Sequence, residues 1–315
     1  LKPALSIIIP LRNEAENLSE LYQRLCEVCK TLSVAVEFIF VDDGSTDASP
    51  VLLRKMNRQD QRVRYIRFTR NFGHQIALFA GLEHATGERI VFMDADLQDP
   101  PECLTAFWEK MNQGADMVYG KRTRRAGESW FKRITAALFY RLLNRLTRFH
   151  IPSDTGDFRM ITQEVAHDLR QMRDRTKFLR GELSWLGYAE AVVHYDRPAR
   201  KKGKTGFGLS SMIRLALDGI TAFSDTPLRL VSALGLFMSV FSFGMIVYVL
   251  LAKWVWQQTI SGWASLMVTI LFLGGIQLLS IGIIGEYISR INDAVRQRPL
   301  YVIAETENDS AADQP

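Results

Sequence analysis

Residues 230–252 carry no charged side chain, and neither do residues 254–285, with Lys253 standing between the two runs. Each run exceeds the roughly 20 apolar residues that a helix needs to cross a bilayer. Two buried core helices of that length are a poor alternative, because a globular helix keeps a polar face. Trp254, Trp256 and Trp263 gather in the connecting segment, as aromatic residues do at a membrane interface. Arg214 and Arg229 precede the first run, and Arg290, Arg296 and Arg298 follow the second. The positive-inside rule then puts both ends of a hairpin at 229–290 in the cytoplasm and its tip outside.

The formal net charge is +5, which points to an anionic partner. Its placement favours a phosphorylated substrate and anionic lipid, and no nucleic acid. Within 129–149, Trp130, Phe131, Leu138, Leu142, Leu146 and Phe149 share a helical face flanked by Lys132, Arg133, Arg141, Arg145 and Arg148. A surface helix packed on its own domain has that pattern, and so does a helix lying in a membrane interface. The hairpin downstream favours the second. A juxtamembrane amphipathic stretch is expected over 207–228, and a cytoplasmic tail over 291–315, polar and disordered from Glu305 onward.

Three cysteines, Cys26, Cys29 and Cys103, form no disulfide framework. Cys26 and Cys29 fall within the helical stripe of Leu18, Leu21, Tyr22, Leu25 and Val28, with no second Cys or His pair at ligand spacing. Ordinary packing accounts for them, and an odd count suits a reducing compartment. No secretory leader precedes the first apolar run, so the catalytic part is expected on the cytoplasmic side of the inner, or plasma, membrane.

Residues 1–206 read as one α/β domain. Apolar strands are expected at 6–9, 37–41, 63–68 and 89–93, alternating with helices at 14–32, 51–56 and 75–85. Such alternation makes a mostly parallel sheet with helices on both faces, whose ligands bind beyond the carboxyl ends of the strands. Three of those ends are polar: Pro10-Leu-Arg-Asn-Glu14, Asp42-Asp-Gly-Ser45 and Asp94-Ala-Asp96.

Asp94 and Asp96 stand two apart at a strand end, so both carboxylates can face one cation. Oxygen donors suit Mg²⁺ or Mn²⁺, which bridge phosphates. The Asp42 run could be turn chemistry, or it could hydrogen-bond a base and ribose, with Asn13 and Glu14 lining the same pocket.

Pro10-x-x-Asn13-Glu14, Val41-Asp-Asp-Gly-Ser45, Arg70-Asn-Phe-Gly73, Asp94-Ala-Asp-Leu-Gln-Asp-Pro-Pro101, Gly156-Asp-Phe-Arg159 and Phe178-Leu-Arg-Gly181 occur in that order. Over residues 5–298 the chain resembles the polyisoprenyl-phosphate glycosyltransferases. These are relatives of dolichol-phosphate mannose synthase with a GT-A fold, and the likeness is to the bacterial branch with two C-terminal spans. The resemblance implies inverting transfer of a hexose from a nucleotide-sugar, UDP-glucose first, to undecaprenyl phosphate. It also implies a homotetramer.

Residue by residue, it implies that Asp94, Asp96 and Gln98 hold the metal and diphosphate. Pro10, Arg12, Asn13, Glu14, Asp42, Asp43, Arg70, Asp94 and Ala95 would line the nucleotide. Asp157, Asp96, Arg122 and Arg200 would serve the reaction, and Arg159, Arg180, Arg197 and Lys204 the acceptor phosphate. One departure stands out. Where many relatives carry Ser/Thr-Lys-Tyr after Gly203, this chain reads Thr205-Gly206-Phe207. Lys204 and Lys202 are the nearest substitutes.

Other donors fit the same pattern: an aminoarabinose derivative, UDP-N-acetylglucosamine, UDP-galactose or GDP-mannose. A processive polysaccharide synthase would need more spans and a Gln-x-x-Arg-Trp motif; the nearest segment is Gly181-Glu-Leu-Ser-Trp185. A dinucleotide enzyme would show Gly-x-Gly-x-x-Gly after the first strand. A membrane scaffold without activity would have no reason to bind UDP and a divalent ion together.

Overall fold

The computed structural model describes residues 2–123, 155–172, 174–175, 177–196, 226–254 and 262–307. The interfacial helix expected at 129–149, most of the juxtamembrane stretch, Trp256, Arg197, Arg200, Lys202 and Lys204 lie outside these. The chain forms two compact units, Leu1–Gly219 with Pro299–Pro315, and Ile220–Arg298.

In the first unit, β1 (Leu5–Leu11), β2 (Val36–Asp42), β3 (Val63–Phe68) and β4 (Arg89–Phe92) alternate with α1 (Ala15–Leu32), α2 (Ser49–Gln59) and α3 (His74–His84). Then come α4 (Cys103–Asn112), β5 (Met117–Arg122), β6 (Thr155–Thr162), α5 (Gln163–Gln171), α6 (Leu179–Leu186), β7 (Glu190–Tyr195) and, after the second unit, β8 (Ile303–Thr306). They make one sheet in the order β7-β5-β6-β4-β1-β2-β3-β8. β1 pairs parallel with both β2 and β4, whereas β6 runs antiparallel between β4 and β5. The expected GT-A-like, mostly parallel α/β architecture is the one observed.

The apolar runs explain the centre of the sheet. Every residue of β1 and β2 is buried, as strands covered on both faces must be. One face meets Leu18, Leu21 and Leu25 of α1, Leu53 of α2 and Leu104 and Phe107 of α4. The other meets Ala77, Leu78 and Leu82 of α3, Val165 and Leu169 of α5, and Leu179 and Leu183 of α6. Because β6 is reversed, its first residues share an edge with the last residues of β4.

The second unit has α7 (Thr226–Trp254) and α8 (Trp263–Val295). At 29 and 33 residues they are about 44 and 50 Å long at 1.5 Å per residue, enough to cross a membrane. Leu236, Phe237, Val240 and Phe243 are 62% to 69% exposed, a surface that water does not favour.

The expectation of a disordered tail is corrected for its first residues, 305–307, while 308–315 lie outside the described residues. Ile303–Thr306 is the edge strand β8, antiparallel to β3. Glu305 accepts from Arg54 Nε and Nη2 at 2.6 and 2.8 Å and from the Tyr65 hydroxyl at 2.7 Å. Arg64 donates to Glu307 at 2.8 Å, and Tyr301 stacks on Phe68 with ring centroids 4.9 Å apart. These partners lie more than 200 residues away in sequence, beyond the reach of any local pattern.

Arg54 holds the Glu305 carboxyl below its ordinary range. A depressed folded-state pKa stabilises above the unfolded value of about 4.3, and that share is lost as the pH falls through the folded one. Glu305→Ala should therefore cost about 1 to 3 kcal/mol at neutral pH. In thermal melts, its deficit against the wild type should shrink below about pH 4.

Candidate active site

Three parallel strands end, and the reversed strand β6 begins, at a common edge, and backbone turns fix what they present. Asn13, after β1, adopts φ 56° and Leu97, after β4, φ 59°, left-handed conformations that cost a non-glycine residue about 1 kcal/mol or more. The Asn13 amide donates to Ser45 Oγ at 2.9 Å, and its side-chain oxygen accepts from the Thr46 amide at 2.8 Å. The ends of β1 and β2 are thereby tied together. Gly44, at φ 67°, has no room for a side chain, since a Cβ would stand 2.6 Å from the Arg70 carbonyl carbon. The Val41–Ser45 segment and the Arg70–Gly73 segment are thus pressed backbone to backbone.

Asp43 accounts for that contact. Its carboxylate accepts from the amides of Phe72 at 2.6 Å and Gly73 at 3.0 Å, immediately before α3. Asp42 is fully buried and accepts from the Ser45 amide at 2.8 Å; Arg67 Nε stands 3.6 Å from its other oxygen. Burial pushes the Asp42 carboxyl up. Pro10 is buried within β1, Ala95 is 3% exposed, and Arg12 is exposed. The Glu14 carboxylate accepts from Asn17 at 2.6 Å, and Arg70 lies over the Phe72 ring at 3.9 Å.

Beside these, the structure brings Asp94 and Asp157 onto one imidazole. His74 Nε2 is 3.3 Å from Asp94 Oδ1 and 3.4 Å from Asp157 Oδ2. Gln75 donates to Asp157 Oδ2 at 2.9 Å, and Arg180 Nε donates to Asp157 Oδ1 at 2.8 Å. The crowded surroundings oppose charge on the ring, but Asp94 and Asp157 outweigh them and lift His74 to about 9. Burial likewise opposes ionisation of Asp157, yet Arg180 and His74 hold it well below the usual carboxylate range. Asp94 Oδ1 accepts no hydrogen bond among the described residues, and burial raises its carboxyl. Asp96 Oδ1 accepts from the Gln98 amide at 3.1 Å, closing the turn at Leu97.

Arg159 lies buried behind Asp157, its Nη2 donating to the Gly156 carbonyl at 3.1 Å. Arg122 reaches the same glycine, where an added Cβ would meet its Nη2 at 2.7 Å. Asp94, Asp157, Arg122, Arg159 and Arg180 thus occupy one locality. His74 and Gln75 belong there as well, just beyond the end of the Arg70–Gly73 motif. Position alone could have suggested them, as the first two residues of a helix opening on that edge.

Two family profiles match the chain: Glycosyl transferase family 2 over residues 6–170, and GtrB C-terminal hairpin over residues 226–291. The chain is 46% identical to the uncharacterized glycosyltransferase YkcC of Bacillus subtilis (strain 168), covering 95% of this chain and 92% of that one. It is 40% identical to the SfII prophage-derived bactoprenol glucosyl transferase of Shigella flexneri, covering 95% and 97%. A looser likeness, TM-score 0.47 with 18% identity over 70% and 77% of the two chains, links it to glucosyl-3-phosphoglycerate synthase from Mycobacterium tuberculosis, solved with Mn²⁺ and UDP-glucose. The chain belongs to glycosyl transferase family 2 and is a glycosyltransferase, with a C-terminal helix pair of the GtrB hairpin type.

Proposed function

We propose that this glycosyltransferase moves a hexose, glucose from UDP-glucose first, with inversion onto a polyisoprenyl phosphate such as undecaprenyl phosphate. The observation that carries this reading is the meeting of Asp94 and Asp157 on His74 Nε2, with Arg180 on the far oxygen of Asp157. Identity of 40% to bactoprenol glucosyl transferases supports a lipid-phosphate acceptor. Two helices long and apolar enough to cross a membrane support action at its surface, and the arginines that flank them favour a site on the cytoplasmic side.

The residues present suit a divalent cation, Mg²⁺ or Mn²⁺. Asp94 offers a buried oxygen that accepts no hydrogen bond among the described residues, and Asp96 a second hard oxygen two residues on. No group of three or more His, Cys, Asp or Glu able to hold a metal occurs among the described residues. Asp94 and Asp96, with Gln98 two residues further along the chain, would hold the ion. When bound, the ion would stabilise the departing diphosphate as a Lewis acid.

The remaining work falls to the chain. A phosphate monoester loses its second proton near pH 6, so the acceptor is an ionised nucleophile without a strong base. Asp157 is engaged at both oxygens and holds its charge tightly, so it is a poor proton acceptor. Its part is to orient Arg180, Gln75 and His74 around the acceptor. Arg122, Arg159 and Arg180, joined by Arg197, Arg200 and Lys204 from the sequence, offset the charge of two anions brought together. Attack on the anomeric carbon opposite the diphosphate then inverts the configuration in one displacement. Pro10, Asn13, Glu14, Asp42 and Asp43 shape the nucleoside end of the crevice, Asp43 through the loop it holds.

Asp157→Asn keeps the side-chain shape and removes the charge that organises Arg180. We expect kcat to fall on the order of 100-fold with a lowered melting temperature but the fold retained, and undiminished turnover would remove Asp157 from the mechanism. Chelation should abolish transfer, and Mg²⁺ or Mn²⁺ should restore it; turnover in chelator would sink the Asp94/Asp96 assignment. A panel of radiolabelled UDP- and GDP-sugars with undecaprenyl phosphate should yield labelled lipid from UDP-glucose foremost. A different winner would reassign the donor while leaving the acceptor in place.

A further inference from the structure

Arg122 ends β5, directly paired in the parallel ladder with Tyr195 at the end of β7. The Tyr195 ring is clamped from several sides. It packs edge-on to Phe158 with centroids 5.8 Å apart, and its Cε1 would stand 2.6 Å from any Cβ at position 120, where the chain has glycine. Its carbonyl accepts from both the amide and the hydroxyl of Thr123, at 3.0 and 2.9 Å. With ring and backbone fixed, the position of the phenolic oxygen is fixed as well.

That oxygen has one proton to give and lone pairs to offer. It donates to Asp99 Oδ1 at 2.6 Å and accepts from Arg122 Nε at 3.4 Å. Asp99 is 1% exposed, and its other oxygen accepts no hydrogen bond among the described residues. The direction of the chain is thereby set: guanidinium to hydroxyl to carboxylate. With Nε turned to Tyr195, Nη2 of Arg122 lies against Gly156, the residue before Asp157, where the lack of a side chain leaves room for it.

We propose that Tyr195 and Asp99 are positioning residues for glycosyl transfer: Asp99 holds the Tyr195 hydroxyl, and the hydroxyl holds Arg122 against Gly156 with its Nη edge presented to a substrate phosphate. The proposal rests on the reading of Arg122 as a phosphate contact. A flexible arginine without this tether would spend much of its time in other rotamers, and preorganisation of the charge would be lost. Neither residue belongs to the carboxylate pair assigned to the metal. Their effect should therefore appear in transfer and leave the metal requirement unchanged.

The test is a double-mutant cycle on the detergent-solubilised full chain. Tyr195→Phe keeps the ring and deletes the hydroxyl. It should lower kcat/KM for undecaprenyl phosphate about tenfold, with the melting temperature and the Mg²⁺ concentration for half-maximal activity unchanged. In an Arg122→Ala background the same change should have no further effect, a coupling that a purely structural role for the hydroxyl would not produce. Asp99→Asn, entered in the same cycle, should show the same non-additivity and serves should Tyr195→Phe fold poorly. Full activity of Tyr195→Phe, or losses that multiply in the double variant, would overturn the proposal. Full activity of Arg122→Ala would overturn it too, by removing the phosphate contact on which it stands, while Asp157→Asn would still report on the proposed transfer.

Discussion

Asp94 and Asp157 leave neighbouring strands with their carboxylates on one imidazole nitrogen, and two anions so placed need compensation. At an effective dielectric near 20, unit charges 4 Å apart interact by about 4 kcal/mol, a large fraction of a domain's net stability. The pairing of β4 with a reversed β6 makes this encounter unavoidable, because the last residues of one strand then share an edge with the first residues of the other. The surroundings of that edge can be read as the response. His74 and Gln75 come from the start of α3, Arg180 from the start of α6, and Arg122 from the end of β5.

The acidic residues divide into those already satisfied and those held open. Asp43 is committed to the Phe72 and Gly73 amides, and Asp157 to Gln75 and Arg180. Burial, reinforced by Asp94, pushes Asp99 up to about 7, and its Oδ1 rests on a hydroxyl. Asp94 Oδ1 stands 3.3 Å from the His74 imidazole but accepts no hydrogen bond among the described residues. The metal-assisted departure of a diphosphate proposed above would call for such an arrangement, fixed cations on one side and a carboxylate oxygen without a hydrogen bond on the other. A fully neutralised cluster would fold more easily and catalyse less.

Much of this was legible in the sequence, for identifiable reasons. β1, β2 and β4 are short apolar runs bounded by polar turns, and α1 repeats Leu18, Leu21 and Leu25 at helical spacing. Their order alone implied the sheet and the crevice at its edge. What escaped depends on pairing across distance. β8 has only four residues, and its anchor is the meeting of Glu305 with Arg54, 251 positions apart. His74 reads as an ordinary helix-opening residue until β6 delivers Asp157 to it. Tyr195 reads as the last apolar residue of a strand, and only parallel pairing with β5 sets it opposite Arg122.

The electrostatics of Asp157 bear on the chemistry asked of the protein. A sugar hydroxyl acceptor would call for a base with a pKa near the working pH. Asp157, held well below the ordinary range by Arg180 and His74, is the opposite of such a base. An acceptor that arrives already ionised removes that need and replaces it with another, the crowding of a phosphate against a diphosphate. Guanidinium groups in fixed orientations answer that need, and a carboxylate whose role is to fix them is more useful deprotonated than poised to titrate. The low proton affinity of Asp157 thus accords with the phosphate acceptor proposed above.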